Sequence, residues 1–226
     1  MTPEEIQSLF TRAGEFTFAR WGRPIVPIVF GVDDATLATV KGAAEAVTAL
    51  AGHEMGETDP ELGTNLMLFF FRDWQELLDV PDLDRMIPEL ADLVPRLEAA
   101  KANQYRLFRF ERAGAIRACF VFLRMDEALR QMPADTLALS QIVQIILLWS
   151  DSAFRARSPL GRMDGQHVIL RPDIAGLIRA AYDPVLPEAS RDPAHALRLA
   201  ARMQMQMQMQ MQQTDINAGN GKTHGS

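Results

Sequence analysis

The sequence predicts an α+β fold: a mixed sheet of about four to five strands packed with helices, one of them central and buried. Three observations carry this. The continuous apolar run Leu66–Phe71 is too short for a typical helix and reads as a strand covered on both faces. Two strand-like segments, Tyr105–Glu111 and Ala115–Arg124, flank Arg112-Ala113-Gly114, a hairpin signature. The stretch Thr136–Trp149 carries Ile142, Ile145, Ile146 and Trp149 at helical spacing, with Val143 and Leu147 as a second apolar strip. A helix apolar on so much of its circumference belongs between layers.

The remaining elements follow in order. Thr2, Pro3 and Glu5 form an N-terminal capping signal, and the helix they open is expected from about Glu4 to Ala19. A short strand follows over Ile25–Phe30, and Pro27, which lacks an N–H to donate, places it at a sheet edge or a bulge. Asp33 and Asp34 stand ready to cap a helix over Ala35–Leu50, with Leu37, Val40, Ala44, Val47 and Leu50 on one face and Gly52 as its stop. Asp59–Gly63 reads as a loop. From Trp74 to Ala102 the pattern is helical but interrupted by Pro81, Pro88 and Pro95, which predicts two or three short helices. After the central helix, a loop runs through Pro159 and Gly161. Pro172 opens a helix over Asp173–Tyr182, and Asp192-Pro193 opens the last one. Segregated in this way, the helices are expected on one side of the sheet.

This order divides the chain into an N-terminal helix (1–19), an α+β domain (20–202) and a low-complexity tail (203–226). In Met203–Gln212 methionine and glutamine alternate strictly, a strand period built from two good helix formers. The polar segment after Gln213 is expected to be disordered.

Composition narrows the function. With 226 residues, 48% of them hydrophobic, the chain can bury a sizeable core. A net charge of −6 and a pI near 5.3 argue against a nucleic-acid partner, which would call for a basic stripe. No apolar run is long enough to span a bilayer, and a helix instead of a secretory signal is expected at Met1–Ile6. Cys119 is the only cysteine, so no internal disulfide forms; together with the missing signal this predicts a cytoplasmic protein. Cys119 sits in an apolar strand run and reads as a buried structural thiol.

The four histidines, His53, His167, His195 and His224, show no pair at metal-ligand spacing, and no metal or other cofactor is expected. Neither a nucleophile elbow, a phosphate-binding loop nor a dinucleotide fingerprint occurs. What survives is a set of polar residues in separate segments: Asn65 before the apolar strand, Gln141 and Gln144 on the central helix, Asp151 after it, and Asp173 further on. They are candidates for a shared polar pocket; otherwise the two glutamines are buried amides with local partners.

Several short motifs recur in the order seen in a known family: Arg20-Trp21-Gly22-Arg23-Pro24, then Thr64-Asn65, Gly114-Ala115-Ile116, Gln144 with Asp151, and Tyr182-Asp183-Pro184. Over roughly Arg20 to Leu186 the chain resembles the proteobacterial family called domain of unknown function 2927, some of whose members are described as lipoproteins. The resemblance implies a metzincin-type peptidase scaffold. This chain departs from the family pattern at Gln141 (usually Glu), Leu147 (a helix-ending Gly) and Ser150 (Asn). Glutamine is a poor zinc ligand and no general base, so the scaffold is expected here in degenerate form. The expectation is a non-catalytic binding or adaptor protein with a protein partner; the alternative is a hydrolase with a site assembled from distant polar residues.

Overall fold

The computed structural model describes residues 1–56, 63–164 and 167–220. Most of the expected Asp59–Gly63 loop and all of 221–226, including His224, lie outside them. In chain order the elements are α1 (Pro3–Leu9), β1 (Thr11–Arg12), β2 (Glu15–Phe16), β3 (Phe18–Ala19), β4 (Pro27–Phe30), α2 (Asp34–Ala51) and β5 (Leu66–Phe71). A 3-10 turn (Trp74–Asp79), α3 (Leu83–Met86), α4 (Leu90–Ala99), β6 (Gln104–Phe110), β7 (Ile116–Arg124), α5 (Glu127–Arg130) and α6 (Ala134–Ile145) follow. The chain ends with β8 (Leu160–Met163), β9 (His167–Leu170), α7 (Pro172–Ala181), β10 (Ala189–Ser190) and α8 (Ala194–Asn220). They group into two compact units: Trp21–Ala49 with His53–Ile146, and Met1–Arg20 with Leu50–Gly52 and Leu147–Ser226.

The first of these units holds the mixed sheet, of four strands in the order β4-β5-β7-β6. β4, β5 and β7 run parallel, and β6 returns antiparallel along β7. Pro27 sits on the edge strand β4, where its missing N–H is harmless. Helices cover both faces of the sheet, where the sequence places them on one. Phe69 and Phe71 of β5 and Phe120 and Phe122 of β7 pack against Trp74, Leu83, Leu90 and Val94 of the 3-10 turn, α3 and α4. The opposite face, with Phe70 and Arg106, meets α2 and α6 through Val40, Ala138 and Gln141. The physical reason is the apolar character of β5 and β7 on both sides, which leaves no face fit for water. Pro81 and Pro88 separate the short helices as expected, whereas Pro95 lies inside α4.

α6 is the central helix, with Leu137, Ala138, Gln141, Ile142, Val143 and Ile145 all buried. It stops at Ile145, four residues short of the expected end at Trp149. Trp21, itself fully buried, donates its indole N–H to the Ile145 carbonyl at 2.8 Å and satisfies one of the helix's terminal acceptors.

In the second unit the backbone of Leu147–Ser150 is non-helical and pairs with distant residues. Leu147 bridges to Arg20, the Leu148 N–H reaches the Ala19 carbonyl at 2.9 Å, and the Ser150 N–H reaches Leu9 at 2.7 Å. These pairings take the backbone groups that a longer helix would have used for itself. α1 opens on the Thr2–Glu5 capping box but ends at Leu9, not Ala19. Ala13 and Gly14, at φ +48° and +86°, turn the chain back so that β1 pairs with β2. β3 pairs with β10, and β8 with β9. Phe10 sits edge-on to Phe18 at 5.2 Å and stacks on Trp149 at 5.3 Å, all three buried. α8 packs on α1 and α7 with its first turns and carries the Met-Gln run as helix. At 100° per residue an every-second-residue pattern falls on two opposed strips, so exposed Met205, Met207, Met209 and Met211 form no common face. No helix among the described residues is long and apolar enough to cross a membrane.

Candidate functional site

Because β4, β5 and β7 are parallel, their carboxyl ends share one edge of the sheet. A cleft of about 330 Å³ opens there, in the place where open sheets with parallel strands commonly bind ligands. It is lined by Phe70, by Val40 of α2, by Leu137 and Ala138 of α6, and by Met125, Leu129 and Met132. The lining is mostly apolar, and the two methionines can adapt to different shapes. Gly31 closes the turn from β4 to α2 at φ +81°, and a Cβ there would run into the Phe70 carbonyl oxygen. Only glycine permits both the left-handed backbone and this approach of the turn to β5.

Polar groups stand at the rim. Asp33 accepts the Thr36 N–H at 2.8 Å, and the Thr36 backbone and hydroxyl hold its carboxyl below the usual range. That carboxylate is engaged in capping α2. Arg130 supplies an exposed cation.

The five polar residues singled out in the sequence have separate partners. The Asn65 side chain accepts the Val26 N–H at 2.7 Å and donates to the Pro24 carbonyl at 2.8 Å, tying residues 24–26 to the start of β5. This is the amino end of the strand, away from the cleft. Gln141 is 2% exposed; its amide oxygen accepts from Arg106 at 2.6 Å and its N–H donates to Gln104 at 3.3 Å. Gln144 is half-buried and donates to Ser140, one turn back on the same helix. Asp151 and Asp173 belong to the other unit. Asp151 is exposed and paired with Arg12 at 2.6 Å. Asp173 lines a cavity of about 140 Å³ with Arg157 and Arg171. Burial opposes its charge, but the hydrogen bond and charge of Arg171 prevail and keep its carboxyl below the usual range. In the first unit, then, the structure joins Gln141 to Arg106 and Gln104, not to Asn65 or Gln144.

Arg106 is the residue that the sequence reading missed. Its guanidinium lies between sheet and α6, bonded to the amide oxygens of Gln104 and Gln141 at 2.8 and 2.6 Å, and its Nε is buried with no partner. Burial pulls it down to about 10. The nearby Cys119 thiol is fully buried and pushed well up by that burial, so it offers no counter-charge. No carboxylate among the described residues pairs with Arg106. The available signal was a charged residue in an otherwise apolar strand, a position that demands a partner.

These bonds predict different outcomes for the two glutamines. Gln141→Ala removes an acceptor from a buried cation and should cost about 1–2 kcal/mol, whereas Gln144→Ala, which loses a bond within its own helix, should cost less than about 0.5 kcal/mol. Urea denaturation of both variants checks the difference; equal losses would contradict it.

No protein-family model matches the chain, and no curated protein or solved structure shows significant similarity to it. Among the described residues no group of three or more His, Cys, Asp or Glu side chains is placed to hold a metal ion.

Proposed function

We propose that this chain is a non-catalytic binding or adaptor protein that receives an apolar group of its partner in the cleft at the carboxyl ends of β4, β5 and β7. The observation that carries the reading is the lining itself: a concave, mainly apolar surface built on rigid elements, with Arg130 at the rim to orient a charged end. Asp33, the lining's carboxylate, is a weakened base because its oxygen is spent on the helix cap. Such a site holds and orients. The same reading takes the resemblance to domain of unknown function 2927 as a shared peptidase-like scaffold used without zinc chemistry, in a reducing cytoplasmic setting where Cys119 stays a thiol.

The test fills the cleft. Thr36 is half-buried and lines the cleft from α2, so a larger side chain there would occupy it. The anionic dye 8-anilinonaphthalene-1-sulfonate, an apolar body with a charged end, should bind the native chain with enhanced fluorescence. Thr36→Trp should weaken that binding at least about tenfold while leaving the melting temperature unchanged. Undiminished dye binding by a folded Thr36→Trp chain would overturn the assignment.

A further inference from the structure

β6 is one of the two edge strands of the sheet, and its backbone polarity can be read from its neighbours. The Cys119 N–H bonds to the carbonyl of Asn65, just before β5, so alternate residues of β7 face β5 and the others face β6. The Arg124 N–H accordingly reaches the Asn103 carbonyl at 2.8 Å. With the register Arg106↔Val121 and Leu107↔Phe120, Tyr105, Leu107 and Arg109 spend their backbone groups on β7. Gln104, Arg106 and Phe108 turn theirs outward. No backbone bond links these outward groups to any other described residue. Such an edge is a template for an added strand.

The middle residue of the three is also the buried cation that lacks a counter-charge. Gln104 and Gln141 share its donors, but two neutral amides cannot neutralise it, and its Nε has no acceptor at all. A strand paired to β6 would set the side chain opposite Arg106 on the same face of the sheet, within reach of the guanidinium. A carboxylate there would supply the missing charge in a desolvated setting.

We propose that β6 is a docking edge for an extended acidic peptide segment of a partner protein, which adds as a fifth strand and sets a glutamate or aspartate against Arg106. A second copy of this chain is a poor occupant. The two-fold register that uses all three outward residues pairs Gln104 with Phe108 and Arg106 with its own copy, and like charges oppose there. The surface is separate from the cleft, so either proposal can fail without the other.

The probe is an acetylated octapeptide of alternating valine and glutamate, with two controls: lysine in place of glutamate, and N-methyl groups on the edge-facing amides. The acidic peptide should bind and slow hydrogen exchange at the amides of Gln104, Arg106 and Phe108. The N-methylated and lysine peptides should not bind. Arg106→Gln should weaken the acidic peptide at least about tenfold, and Arg109→Gln, on the strand's other face, less than about threefold. In parallel, a displayed random octapeptide library panned on the full chain should enrich alternating acidic sequences that depend on Arg106. Equal binding of the N-methylated peptide, indifference to Arg106→Gln, or a library that enriches no acidic sequences would overturn the proposal. The N-methyl arm needs no variant, so it decides the matter even if Arg106→Gln folds poorly.

Discussion

Gly31→Ala should cost on the order of 3 kcal/mol or more of stability and deform the cleft. Two penalties combine at this position. At φ +81° an alanine is strained, and its Cβ would press on the Phe70 carbonyl oxygen, which belongs to the central sheet and cannot move cheaply. Gly14 provides the control. It has nearly the same angle, φ +86°, but nothing lies within 4 Å of a Cβ built there, so Gly14→Ala should lose only about 1 kcal/mol. Urea denaturation of the two variants separates backbone strain from collision. Equal losses would mean that β4 and α2 are not held against β5 as described.

A second large effect is expected with pH. His195 is 0% exposed at the start of α8, its ring 4.4 Å from that of Phe18, and neither ring nitrogen has a hydrogen-bond partner. Burial, then the charge of Arg198, pull its pKa down to about 4, with Asp192 opposing. The sign follows from linkage. The folded chain keeps His195 neutral while the unfolded chain protonates it near pH 6.5, so the stability is fully present above that value and is lost as pH falls toward 4. Between pH 7 and pH 5 the loss should be about 2 kcal/mol. The lowered carboxylates, Asp173 and Asp183 among them, lose their contributions only at more acid pH, which leaves this window to the histidine. His195→Phe should flatten the dependence between pH 7 and pH 5. A variant as pH-sensitive as the native chain would show that His195 is not the group responsible.

Much of the first unit was legible. Leu66–Phe71 is the strand β5 as read, and the proline at Pro27 does mark an edge strand. The Arg112-Ala113-Gly114 turn does join two antiparallel strands. The same tripeptide, Arg12-Ala13-Gly14, lies inside the expected first helix, although it too closes a hairpin, β1–β2, there with both Ala13 and Gly14 at positive φ. The strong capping box at Thr2 drew the expected helix past a turn whose flanking strands, two residues each, are too short to show alternation. The end of α6 was hidden for another reason. Leu147 and Leu148 continue the apolar pattern, and only pairing with Ala19 and Arg20, distant in sequence, takes their backbone out of the helix. The division into units is discontinuous along the chain, so no shift of composition marks it.

The candidate sites were less legible than the fold. Asn65, Gln141 and Gln144 drew attention as polar residues beside apolar runs, and the structure gives each a local bonding role. The cleft is lined by residues that no motif would select, such as Phe70, Met125 and Leu137, brought together only when the parallel strands align their ends. Arg106 carried a signal, a cation inside a strand, whose weight depends on the missing carboxylate that only three dimensions reveal.

The most direct test of the central claim is methionine-methyl NMR of the full chain titrated with 8-anilinonaphthalene-1-sulfonate. The cleft offers Met125 and Met132, while α8 offers Met205, Met207, Met209 and Met211 as individually exposed apolar side chains. If the cleft is the binding site, the Met125 and Met132 methyls shift together along one saturating curve and the α8 methyls stay in place. Saturating shifts confined to α8, with Met125 and Met132 unmoved, would contradict it.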